Sequence, residues 1–239
     1  MAIVSNKINY LDGDTLLEGF FAYDDSFSER RPAVLISHAW GGRDEFVAAK
    51  AKELAKVGYL AFALDMYGQG TVGTSPEENA QLMQPFMDDR SMLQQRAHAA
   101  LYAVKLLPWV DDKKVAAIGF CFGGLCVLDL ARMGANLLGV VSFHGLLNGP
   151  GTVADKPVLA KVLALHGHDD PMASTELVNT FTKEMTDLKV DWQLHHYGNT
   201  VHAFTNPQAN DPSFGTVYNN LADKRSWQNM RNFLEEVFV

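Results

Sequence analysis

The chain has 239 residues, 47% hydrophobic and 20% charged, which is enough apolar surface for a buried core and too ordinary a balance for disorder. A formal net charge of −8, with no Lys/Arg-rich run, argues against a nucleic-acid or anionic-membrane partner, since both need a basic face. Two cysteines cannot build a disulfide framework, and no apolar leader or membrane-length apolar stretch is present, so the expectation is a soluble, cytoplasmic protein.

Residues 6–10 and 16–23 read as a starting hairpin turned by Asp12-Gly13-Asp14. From residue 33 short apolar runs alternate with helical segments. The runs occupy 33–38, 59–65, 115–120, 139–144, 162–167 and 191–197, and most lack polar alternation, as strands covered on both faces do. Helices are predicted over 44–57, 76–105, 122–133, 173–187 and 216–237. Ser75-Pro76-Glu77-Glu78 is a strong helix start, while Gly58 and Gly134 mark helix ends. The pattern predicts one α/β domain over 1–239, with a mostly parallel central sheet and helices on both faces. Catalytic groups in such sheets gather at the carboxyl ends of the strands.

One such end carries Gly119-Phe120-Cys121-Phe122-Gly123-Gly124, a strand-to-helix elbow of the G-x-S-x-G type with Cys as the central residue. The flanking glycines suit a turn whose neighbours approach the backbone closely. A thiol at a helix N-terminus gains thiolate character, and the Phe122 amide there is a candidate oxyanion donor. Cys126, deeper in the helix, reads as core.

The loops after the next two strand ends supply candidate partners. One contains His166-Gly167-His168-Asp169-Asp170-Pro171 and the other Val201-His202-Ala203-Phe204. The order nucleophile, acid, histidine matches the requirement of an elbow hydrolase. His202 would move protons, and Asp170, with Asp169 as the alternative, would orient its imidazole. The remaining histidines lack metal-ligand spacing, so no metal is assigned; His98 and His144 read as structural.

With these motifs stand SHAWGG, GYLAFALDMYGQG, KVAAIGFCFGG and HAFTNP, and over residues 15–238 the sequence resembles the dienelactone hydrolase family. The resemblance implies an α/β-hydrolase fold, no cofactor and a Cys121-His202-Asp170 triad. It also implies a second oxyanion amide at Ala39 or, failing that, Trp40. Members that cleave dienelactones carry an acid in the first turn and two arginines around the substrate carboxylate; the matching positions here are His38, Gln69 and Asn206. Neither Gln69 nor Asn206 can form a bidentate ion pair with a carboxylate. With Trp40 and Tyr67 these residues complete the expected pocket for a neutral ester, lactone or thioester. Two other readings stand beside it. One is a ligand-binding protein on a hydrolase scaffold. The other is a Cys amidase or peptidase, although the H-x-E acid of glutamine amidotransferases is replaced here by Phe204.

Overall fold

The computed structural model describes residues 2–26, 28–151 and 156–239. Its contacts divide the chain into two compact units, Met1–Ile118 and Gly119–Val239.

The first unit opens with antiparallel strands β1 (Ile3–Asp12) and β2 (Thr15–Asp24). Asp12 pairs with Thr15, so the turn needs only Gly13-Asp14, and Gly13 takes the left-handed conformation (φ 56°) that such a two-residue turn demands. The hairpin is longer than its apolar pattern predicts because backbone pairing continues through exposed polar positions. Next come β3 (Arg31–Ser37), α1 (Glu45–Lys56), β4 (Leu60–Ala63), α2 (Pro76–Asp88), α3 (Arg90–Lys105) and β5 (Val110–Phe120), the last carrying the chain into the second unit. The strand order is β1-β2-β4-β3-β5. β3 and β4 are parallel, and α1 connects them. Asp44 caps α1 by accepting from the amides of Phe46 and Val47, and the helix buries Val47, Ala48, Ala51, Leu54 and Ala55, a stripe of helical period.

The segment after β4 is organised by buried Asp65. Its carboxylate accepts from the amides of Glu18, Tyr67, Gly68 and Gly70 at 2.8–3.0 Å. Hydrogen bonds to a charged acceptor contribute about 1.5–3 kcal/mol each, enough to fix an otherwise glycine-rich loop. Residues 76–105 form two helices where one is predicted. Asp89 leaves helical geometry (φ −122°, ψ 92°) and its side chain caps α3 through the Met92 amide, so a helix boundary falls inside the predicted span.

The second unit contains α4 (Phe122–Arg132), β6 (Gly139–Phe143), β7 (Lys161–Gly167), α5 (Thr175–Asp187), β8 (Trp192–Tyr197), β9 (Asn210–Asp211), β10 (Thr216–Val217) and α6 (Asn220–Val237). β6, β7 and β8 are parallel neighbours, and α5 connects the last two. All of α4 is buried, including Arg132, whose guanidinium is paired with Asp129 and Glu184 and donates to the Leu147 carbonyl. A buried arginine so fully partnered ties α4 to α5 and to the loop after β6. The final helix starts at Asn220 rather than 216. Asn219 caps it, and residues 216–217 pair with β9 instead. Among the described residues no helix is long and apolar enough to cross a membrane.

Candidate active site

Cys121 sits between β5 and α4 with φ 55° and ψ −119°, a conformation that non-glycine residues rarely adopt and that costs on the order of 1–3 kcal/mol. Its surroundings hold it there. The Cys121 amide donates to the Phe143 carbonyl at the end of β6 (3.0 Å), and its own carbonyl accepts from Gly124 (2.9 Å) in the first turn of α4. A side chain at Gly119 would collide with the Gly123 carbonyl, and one at Gly124 with Ser142 and Gly145, so the close approaches expected of the elbow are present at these two glycines. Cys121 is half-buried, whereas Cys126 is fully enclosed. Phe122 begins α4, which places its amide at the positive end of the helix.

His202 and Asp170 lie together. Nδ1 of His202 is 2.7 Å from Oδ2 of Asp170, with both side chains almost wholly shielded, and the other carboxylate oxygen accepts from the Met172 amide at 2.8 Å. Asp169 is exposed, and its backbone amide donates to the Thr200 carbonyl. The histidine loop is clamped by residues 215–217, of which 216 and 217 are expected from sequence in the final helix. The His202 amide donates to the Gly215 carbonyl (3.0 Å), and the Val217 amide in β10 donates back to the His202 carbonyl (3.2 Å).

Burial works against a charge on His202. The negative charge of a Cys121 thiolate, hydrogen bonds to Asp170 and Cys121, and the Asp170 charge outweigh it and push the imidazole up to about 10. Nε2 is buried and forms no hydrogen bond of regular geometry, although Cys121 is near enough to help raise the imidazole's pKa. Such contacts commonly tighten only when substrate binds.

The other predicted positions fall in two places. Asn206 lies just beyond the histidine, where its side chain accepts from the Gln208 amide and its backbone donates to Ala203, a turn-forming role. In the first unit His38, Ala39, Trp40 and Tyr67 form their own cluster. The Met66 amide donates to Nε2 of His38, which leaves the proton on Nδ1 to reach the Ala39 carbonyl at 2.6 Å. Burial pushes the His38 pKa down, which favours the neutral imidazole. Tyr67 donates to the Trp40 carbonyl at 2.7 Å and packs edge-on against His38, while Gln69 is exposed at φ 52°.

Behind Asp170 three histidines touch: the His166 and His196 rings are 5.3 Å apart, and those of His168 and His196 5.6 Å. Among the described residues no group of three His, Cys, Asp or Glu side chains could hold a metal ion. Burial, only partly offset by Asp170 and reinforced by the neighbouring imidazoles, pushes His166 down to about 4. In the unfolded chain the same ring takes its proton near about 6.5. Between those values the unfolded state binds more protons, so stability falls with falling pH and this group's effect levels off below about 4. The raised pKa of His202 acts in a different range: its contribution is complete below about 6.5 and is lost as pH rises towards about 10. The urea midpoint is therefore expected to be lower at pH 5 than at pH 7, with a smaller drop in His166→Asn; equal drops in the two proteins would contradict this assignment.

His144, read from sequence as structural, has its ring against His202 at 5.1 Å. Its place at the carboxyl end of a strand was the available signal.

Comparison with known proteins gives a consistent result. The model of the dienelactone hydrolase family matches residues 17–238. A Bradyrhizobium protein described as a probable 2-oxo-3-(5-oxofuran-2-ylidene)propanoate lactonase is 28% identical over 246 residues, covering 98% of this chain and 96% of that protein. An uncharacterised Caenorhabditis elegans protein is 37% identical over 155 residues, 64% of this chain and 98% of its own. Among solved structures, a dienelactone hydrolase-like promiscuous phosphotriesterase from metagenomic libraries is 38% identical with a TM-score of 0.94, covering 100% of both chains.

Proposed function

We propose, for a chain that belongs to the dienelactone hydrolase family and has its α/β-hydrolase fold, that it hydrolyses a neutral carboxylic ester, lactone or thioester through Cys121. The observation that carries this reading is the buried His202, hydrogen-bonded through Nδ1 to Asp170 at 2.7 Å, in the same unit as Cys121 on its strained strand-to-helix turn. That arrangement favours a thiolate–imidazolium pair.

In the first step the Cys121 sulfur donates an electron pair to the carbonyl carbon, and the carbonyl π pair moves onto oxygen. The resulting oxyanion is stabilised by the helix N-terminus and the Phe122 amide. As the carbonyl re-forms, the C–O bond to the leaving group (C–S in a thioester) breaks, and the departing alkoxide or thiolate takes the proton from Nε2 of His202. Neutral His202 then removes a proton from water as that water attacks the thioester carbon. Collapse of the second intermediate expels the thiolate and restores the pair with the imidazolium. Asp170 keeps the proton on Nδ1 throughout and stabilises the cationic ring.

The lactonase relative supports a cyclic ester as substrate. Gln69 and Asn206, at the positions where dienelactone-cleaving members carry arginines, favour an uncharged one. A panel of p-nitrophenyl esters, neutral lactones, thioesters and one carboxylate-bearing lactone tests this. Neutral substrates are expected to have kcat/KM roughly tenfold or more above the anionic lactone, since that lactone would lack a bidentate partner. A preference for the anion would overturn the substrate assignment.

The solved phosphotriesterase relative supports a second, minor activity. A neutral phosphotriester with a good leaving group presents the same requirements, an electrophilic centre and a developing anionic oxygen. Slow release of p-nitrophenol from such a triester, dependent on Cys121, is the corresponding outcome in the panel.

A further inference from the structure

The turn that ends β6 touches both halves of the proposed machinery. On one side the Phe143 carbonyl accepts from the Cys121 amide at 3.0 Å, and Ser142 and Gly145 press so closely on Gly124 that no side chain fits there. On the other side His144 reaches the histidine loop. Its Nε2 lies 2.8 Å from the Thr205 hydroxyl, and its ring packs edge-on against His202 at 5.1 Å and Phe204 at 5.0 Å. His144, His202, Phe204 and Thr205 are all 2% exposed or less.

Ordinary packing does not account for His144. Its backbone has φ 38°, in the left-handed region that non-glycine residues seldom enter. Its Nδ1 is buried without a hydrogen bond, an unfavourable arrangement that an apolar side chain would avoid. The Thr205 bond and the contact with His202 set the direction of the ring.

We infer that His144 is a positioning residue: it locks loop 202–205 and the His202 ring onto the turn that anchors the Cys121 backbone. This rests on the catalytic reading of Cys121, His202 and Asp170. Its electrostatics suit the task. Burial first, then the charge on His202 and the neighbouring His166, keep His144 uncharged, so it can hold a cationic imidazole without repelling it. The charged groups that bear on His202 itself are Cys121 and Asp170.

The test compares His144→Phe, which keeps a ring but loses the Thr205 bond, with His144→Gln, whose amide can still bond Thr205, and with Thr205→Val. Three quantities are measured: the pH dependence of Cys121 alkylation by iodoacetamide, kcat and KM for p-nitrophenyl acetate, and melting temperature. Alkylation needs no turnover, so it reads the thiol–imidazole pair even if no ester is a substrate. His144→Phe and Thr205→Val are expected to lower kcat roughly tenfold to a hundredfold with KM nearly unchanged, because a small misplacement of a reacting group costs that much. The alkylation midpoint should move to higher pH as the ion pair loosens. His144→Gln should recover part of both, and a double variant combining His144→Phe with Thr205→Val should be no worse than either single one, the signature of a shared interaction.

A change in melting temperature alone, with kcat and the alkylation profile unmoved, would overturn the assignment and leave His144 a packing residue. If His144→Phe does not fold, Thr205→Val carries the same test with the imidazole in place. Cys121-dependent ester turnover that is indifferent to both variants would defeat this inference and leave the proposed function standing. An alkylation shift in a protein that hydrolyses no ester would do the reverse.

Discussion

Cys121→Ala is expected to reduce p-nitrophenyl ester turnover by roughly 10⁴-fold or more, because in the proposed mechanism Cys121 is the nucleophile and the site holds no substitute for it. The fold should survive the change. The structural roles at this position belong to the backbone, whose amide bonds the Phe143 carbonyl and whose carbonyl accepts from Gly124, and alanine keeps both. The side chain is only half-buried, so little packing is removed. Cys126→Ala provides the contrast. It deletes a fully buried sulfur from the middle of α4 and should lower stability by about 1 kcal/mol while leaving kcat within a few-fold. Equal activity loss in the two variants would mean that thiol loss acts through the fold rather than through chemistry.

Asp170→Asn is expected to cost roughly 10³–10⁴-fold in kcat with a well-preserved structure. The amide oxygen of asparagine can still accept from Met172, which keeps the loop cap. The amide nitrogen then faces Nδ1 of His202 as a donor, so the imidazole must present its lone pair there and carry its proton on Nε2. A ring in that tautomer cannot accept a proton from water at the position that faces Cys121. The loss of the Asp170 hydrogen bond and charge should also lower the His202 pKa from its value of about 10. An NMR titration of the imidazole should record that downward movement, and an unmoved pKa would separate Asp170 from the histidine's charge state. Asp169→Asn, at an exposed carboxylate, is the matched control and should change kcat little.

Much of this arrangement was legible in the sequence because it depends on local signals. Central strands show as unbroken apolar runs since both of their faces are covered, and α1 and α2 declare their starts through Asp44 and Ser75. The elbow was visible because its glycines answer a steric need within a few residues. Asp170 and His202 were visible because each follows a strand end. What was hidden depends on partners distant in sequence. Asp89 looks like part of a continuous helix until its side chain is seen capping α3. β9 and β10 are two-residue strands with no pattern of their own, yet residues 215–217 clamp His202. Asp65 is one acid among many until four backbone amides converge on it. His144 is an unremarkable strand-end histidine whose meaning lies in Thr205, 61 residues away.

The nucleophile can be identified most directly by trapping the acyl-enzyme. The protein is mixed with excess p-nitrophenyl acetate, quenched in acid within milliseconds to seconds, digested, and the peptides are weighed by mass spectrometry. One acetyl group on the peptide containing Cys121, labile to hydroxylamine as a thioester is, is the expected result, and the acetyl group should be absent from Cys121→Ala. Continued turnover with the acetyl group on another residue, or with Cys121 never modified, would contradict a cysteine nucleophile.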